Sequence, residues 1–219
     1  MPLLNLNPAL KRCHLNTTTG SLILPAGRML FPALFVPRAM KGEPADTAKF
    51  QVSIIFPKDA DLTLAAKHVA DLAADKWGAK STKPVKKPFL PYAEKTADVE
   101  LATAFPVMLR CASSAKPGVV FGNNDECSTQ QEVYGGRWAM VSVRGYAWEH
   151  PTGGRGVSFG LNNVMLLDHD DPIGNARPKT ETDFADMFAY TGGSNNPDKL
   201  FEREAVTPVK TNGGIDLFN

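Results

Sequence analysis

Two stretches of the chain hold residues at spacings associated with catalysis. Gly156-Val157-Ser158-Phe159-Gly160 has the GxSxG spacing of a hydrolase nucleophile elbow, and Asp168 and His169 follow in triad order. That chemistry needs its serine on a sharp turn from strand to helix. Ser158 instead sits inside a β-type run continuing through Val164 to Leu167, with only 59 residues after Gly160. It reads as a strand serine flanked by glycines. Asp168-His169-Asp170-Asp171 offers oxygen and nitrogen donors to a metal, but neighbours on an extended chain point to opposite sides and do not converge on one ion. A solvated turn before Pro172 accounts for them. No P-loop or dinucleotide fingerprint occurs. The sequence therefore yields no catalytic residue, no metal ligand set and no cofactor site.

A third stretch suggests binding rather than catalysis. From Arg137 to Trp148, alternation puts Ala139, Val141, Val143 and Ala147 on one face and Trp138, Met140, Ser142, Arg144, Tyr146 and Trp148 on the other. If the small residues fill a barrel, the aromatics and arginine form a surface that stacks bases and meets phosphates. If the large aromatics are the buried face, the small residues pack beneath a loop. The pattern leaves both open. Lys83, Lys86 and Lys87 form a basic cluster that solubility alone would explain. Taken with Arg28, Arg38, Lys49, Arg110, Lys116, Arg137 and Arg155, it also fits a groove that tracks phosphates.

The elements that must position these residues are mostly strands. Lys49 to Phe56 alternates apolar and polar positions. A helix over about 59–77 follows, with Asp59 as N-cap, a stripe of Leu62, Ala66, Val69 and Ala73, and Gly78 as its stop. Residues 80–91 read as an exposed basic loop. Strand-like runs return at Ala104–Ala112, Gly136–Trp148 and Gly156–Leu167. Between them lie turn-rich segments, of which Pro151-Thr152-Gly153-Gly154 reads as a hairpin connection. One helix among antiparallel strands with long loops gives a mainly β fold, a small barrel or sandwich. The domain is expected over 1–179, with a partly flexible acidic tail over 180–219.

The 219 residues carry a formal net charge of +1, and 43% are hydrophobic, which excludes collagen-like, mucin-like and wholly disordered chains. The near-neutrality is a cancellation. Residues 1–160 hold 19 Lys+Arg against 13 Asp+Glu, and residues 161–219 hold 5 against 10. A basic body joined to an acidic end is a pattern of nucleic-acid binders. Cys13, Cys111 and Cys127 are too few and too scattered for a disulfide framework. The most apolar stretch, Ser21 to Met40, is broken by prolines and arginines and cannot span a bilayer. An intracellular protein without a membrane partner is expected.

The chain resembles a family of single-stranded DNA-binding proteins encoded by tailed bacteriophages. The resemblance rests on Gly27-Arg28 leading to Phe31, Phe35-Val36-Pro37-Arg38, Lys49-Phe50 and Phe56-Pro57-Lys58. It continues through Trp77-Gly78, Lys116-Pro117-Gly118-Val119-Val120, Tyr134-Gly135-Gly136-Arg137-Trp138, Gly156 to Val164 and Pro172-Ile173-Gly174. It implies an OB-fold barrel that coats single strands during phage replication, recombination or repair in the bacterial cytoplasm, without catalysis or metal. It also implies an acidic C-terminal region that meets replication proteins and competes with DNA for the basic groove. Ile215-Asp216-Leu217-Phe218-Asn219 is similar to the acidic-aromatic tips of such proteins, but Asp216 is the only acid in the last nine residues.

The expected fold is therefore an OB-fold-like antiparallel β-barrel with one main α-helix. Trp138, Tyr146 and Trp148 are expected to stack on DNA. Arg28, Arg38, Lys83, Lys86, Lys87 and Lys116, with Arg137, Arg144 and Arg155, are expected to meet its phosphates. A homodimer is compatible with this reading. The alternative is a non-catalytic structural or adaptor β-protein of the virion, in which the aromatic strand is core or interface.

Overall fold

The computed structural model describes residues 6–39, 42–79 and 82–174; the expected acidic tail over 180–219 lies outside them. The chain runs β1 (His14–Leu15), β2 (Leu22–Ile23), β3 (Gly27–Arg38), β4 (Lys49–Phe56), α1 (Thr63–Trp77) and β5 (Phe89–Pro91). It continues through α2 (Val99–Ala104), β6 (Val107–Ser113), β7 (Gly118–Phe121), β8 (Trp138–His150) and β9 (Gly154–Leu166). β3 pairs with β4, β4 with β6, β6 with β9, β9 with β8, and β8 with β3 again. These five pairings complete a circuit, the arrangement of an OB-like Greek-key barrel. The sheet is mixed rather than wholly antiparallel, because β9 crosses back to run parallel to both β6 and β7.

Two apolar layers hold the barrel. Val52, Ile54 and Phe56 of β4, Leu109 and Cys111 of β6, Ala139, Val141 and Val143 of β8 and Phe159 of β9 fill its interior. Complete burial of each large side chain contributes roughly 1.5–3 kcal/mol. A second layer covers part of the outside, where Ile55, Met108, Trp138 and Met140 pack with Tyr92, with Leu101 of α2 and with Phe105 at the end of that helix. This layer is why β4 is buried on both faces from Val52 onward.

α1 begins later than the expected 59. Asp59 pairs instead with Lys11 at 2.7 Å, and the Asp61 carboxylate accepts the Thr63 amide at 2.9 Å. Its inward stripe is Leu62, Ala65, Val69, Leu72 and Ala73, so Ala65 rather than Ala66 faces the core. Gly78, with φ of 82°, ends the helix as expected. α1 packs on β8 at Gly145, where a Cβ would come within 2.5 Å of Leu72 Cδ1.

Candidate nucleic-acid interface

β8 answers the question its alternation left open, and divides its outer face in two. Ala139, Val141 and Val143 point into the barrel. On the other face, Trp138 and Met140 lie under the second apolar layer, while Arg144 and Tyr146 emerge into solvent. Tyr146 is 50% exposed. Its ring lies beside Gly160, where a Cβ would lie 3.9 Å from Tyr146 Cε1, an ordinary contact distance. Trp148 is half-buried and donates its indole N–H to Ser158 Oγ at 2.9 Å. The GxSxG serine is thus a mid-strand hydrogen-bond acceptor.

Around Tyr146 opens a groove of about 550 Å³, crossing β4, β6, β8 and β9. Arg38 and the segment around Glu43 and Thr47 form one wall, and Lys87, Pro88 and Leu90 form the other. Lys49, Arg110, Ala112, Ser158 and Phe159 complete the lining. Four cations therefore surround one carboxylate, that of Glu43. Arg38 and Lys49 are direct cross-strand partners in the β3–β4 ladder. Among the described residues, Arg38, Lys49 and Lys87 make no ion pair. Like charges placed opposite each other destabilise a sheet. A concentration of unneutralised cations beside an exposed aromatic is what an anionic polymer with stackable bases requires.

The structure distributes the twelve expected residues unevenly. Arg38, Lys87 and Tyr146 share the groove. Lys83, Lys86, Lys116 and Arg144 are exposed but do not line it. The basic loop is not a free one. Lys86 bridges to Gly156 in parallel, and its ammonium donates to the Gly153 carbonyl at 2.9 Å. Lys116 holds its ammonium 5.5 Å from the centre of the Phe35 ring.

Of the remaining five, Trp148 is half-buried and the other four are buried, held by partners within the protein. Arg28 is 0% exposed; its Nε donates to the Gly136 carbonyl at 2.7 Å and lies 3.4 Å from the Asp170 carboxylate. Burial pulls its pKa below the usual guanidinium value, and the neighbouring Asp170 and Asp171 pull it back. Trp138, 1% exposed, donates its indole N–H to Asp170 at 2.8 Å. Arg137 donates to the Leu167 carbonyl and to Glu132. Arg155 lies over the Trp77 ring at 5.0 Å and donates to the Lys83 carbonyl. The Asp168–Asp171 segment is accordingly no solvated turn along its whole length, since Asp170 anchors Arg28 and Trp138 at one end of the barrel.

Two groove cations, Lys49 and Arg110, fall outside the twelve. They were legible only as members of the basic body. Strand register puts both on one face of the sheet, on either side of the Gln51–Ala112 pair, since Arg110 stands opposite Ser53 in the antiparallel ladder.

The family described as the single-stranded DNA-binding protein of Enterobacter phage Enc34 matches residues 20–193. Among solved structures, that phage's protein in complex with single-stranded DNA is 20% identical, with a TM-score of 0.58 over 75% of this chain and 94% of that one. A C-terminal truncation of it is 18% identical, with a TM-score of 0.62 over 79% and 97%. The gp2.5 single-stranded DNA-binding protein of bacteriophage T7 is 12% identical, with a TM-score of 0.50 over 72% and 97%. At these identities the likeness concerns the fold. No curated protein matches the chain.

Proposed function

The chain belongs to the family of the Enterobacter phage Enc34 single-stranded DNA-binding protein, and on that premise we propose that it binds single-stranded DNA in the groove around Tyr146. The observation that carries the reading is the set of Arg38, Lys49, Lys87 and Arg110 around one exposed aromatic ring, with a single acid among them. The place also suits the purpose. OB folds take oligonucleotides on the face of their second and third strands and the adjoining loops. In this ring those strands are β4 and β6, and residues 43 and 47 belong to the adjoining β3–β4 connection. Phosphates follow the cations while a base stacks on Tyr146. With no base-edge reader required, binding tolerates any sequence.

The wider role follows the same premise. The protein coats single strands exposed in phage replication, recombination or repair inside the host cell, and carries out no catalysis itself. Among the described residues no helix is long and apolar enough to cross a membrane. Residues 1–179 form the DNA-binding unit. The acidic segment 180–219 meets replication proteins and competes for the groove, and two copies pair as a homodimer. Of the expected contacts, Arg38, Lys87 and Tyr146 are primary. Lys83, Lys86, Lys116 and Arg144 extend the positive surface around them, and the half-buried Trp148 adds a second aromatic ring on β8. Family membership favours this reading over a virion adaptor.

Replacement of Tyr146 tests it. Stacking on one base is worth about 1–3 kcal/mol by alanine substitution. Tyr146→Ala is therefore expected to weaken oligo(dT) binding by about 5- to 150-fold, with Tyr146→Phe near wild type. Equal affinity of all three proteins would remove the groove from the account.

A further inference from the structure

We propose that Phe31 is a second base-stacking platform, at the far end of a continuous track that begins at Tyr146 and passes Arg110 and Arg38 to Lys95. The inference rests on the single-stranded DNA reading and extends it along the sheet.

Phe31 gains little from folding. It stands in β3 between the buried Leu30 and the half-buried Pro32, yet it is 67% exposed. Its φ is 49°, a region that bulky residues rarely adopt, and it directly precedes a proline, which disfavours helical conformations in the residue before it. The β3–β4 register shifts between Leu30 and Ala33, so a bulge turns the ring outward. Neither burial nor backbone ease explains an aromatic here. Strained, exposed positions of this kind gather at ligand sites.

The surface around it is continuous with the Tyr146 groove. A depression of about 360 Å³ lined by Phe31, Gln51, Lys95 and Met108 shares Arg38 and Arg110 with that groove. A further one of about 800 Å³ includes Phe31, Arg38, Lys95 and Asp98. Asp98 is already engaged, accepting the Leu101 amide at 2.9 Å as the cap of α2. Arg38 and Lys95 outnumber that one acid in the larger depression, and the smaller one holds Arg38, Lys95 and Arg110 with no acid, so the track keeps an excess of positive charge.

Strand register gives its length. Ala33, Gln51, Ala112, Gly160 and Arg144 form one row across β3, β4, β6, β9 and β8. Four strand spacings of about 4.8 Å make the row about 19 Å long. Phe31 and Tyr146 each lie two residues from its ends. A strand stacked at about 3.4 Å per nucleotide needs on the order of five nucleotides to reach from one ring to the other.

Oligonucleotide length separates this inference from the reading beneath it. Labelled dT12 reaches both rings, whereas dT3, measured as an unlabelled competitor, occupies only one end. Phe31→Ala is expected to weaken dT12 about 5- to 150-fold, the range for one lost stack, with an unchanged salt slope and little change for dT3. Phe31→Gly relieves the positive φ, so it should lose dT12 affinity while melting no lower than wild type. Failure of the wild-type protein to bind dT12 would sink the underlying reading. Wild-type binding with Phe31→Ala equally tight, equal losses on dT3 and dT12, or a Phe31→Gly protein that melts lower would each overturn the Phe31 assignment alone.

Discussion

Arg38 and Lys49 stand directly opposite one another across the β3–β4 ladder, two cations in register where a folded sheet would be better served by a cation and an acid. Such a pair costs the free protein stability, and a bound phosphate reverses the sign of the interaction. Lys49→Ala is expected to leave stability unchanged or raise it by about 0.2–1 kcal/mol, read from urea unfolding, while oligo(dT) affinity falls. Loss of stability and of affinity together would mark Lys49 as structural instead.

Trp138 makes the opposite case. Its indole N–H is held by the Asp170 carboxylate at 2.8 Å inside the second apolar layer, with the ring 5.8 Å from that of Phe105. Trp138→Phe keeps most of the packing and removes the donor, at a cost of about 1–3 kcal/mol for the partly buried acceptor left behind. Oligo(dT) affinity of the folded protein should not change. A clear loss of affinity without loss of stability would return Trp138 to the interface.

The cysteines supply a pH dependence. Cys13, Cys111 and Cys127 are all buried. Burial pushes the Cys13 thiol up to about 11 and the Cys111 thiol up to about 12, from 9.0. The folded protein therefore keeps protons that the unfolded chain releases above pH 9. Stability from these groups is complete below that point and is lost as pH rises toward 11–12, by up to about 1.4 kcal/mol per pH unit for each thiol. Urea midpoints at pH 8 and pH 10.5 check the direction. The native thiols should also resist a thiol-specific reagent until the protein is unfolded.

Much of this fold is written in local pattern. β4 and the end of α1 at Gly78 follow alternation and a helix stop, and the hairpin between β8 and β9 follows its turn residues. β3 was hidden because Pro32 and Pro37 argue against a strand. They are tolerated because each falls within a register shift, where a ladder bond is already missing. The outer apolar layer was hidden for another reason: alternation says which residues share a face, not what covers it. Trp138 and Tyr146 therefore looked alike in the sequence and differ completely in burial. The same limit applies to charge. Counting found a basic body, but only long-range contacts distinguish Arg28, spent on Gly136 and Asp170, from Arg38 in the groove.

The central claim is that one groove carries the phosphate contacts. The most direct measurement is the salt dependence of fluorescently labelled dT30 binding, for the wild-type protein and for an Arg38→Ala, Lys49→Ala, Lys87→Ala variant. Each lost phosphate contact should flatten the log–log slope by about 0.7, so the variant should bind more weakly with a slope shallower by about 2. A variant with the wild-type slope and affinity would contradict the account and place the DNA elsewhere on the protein.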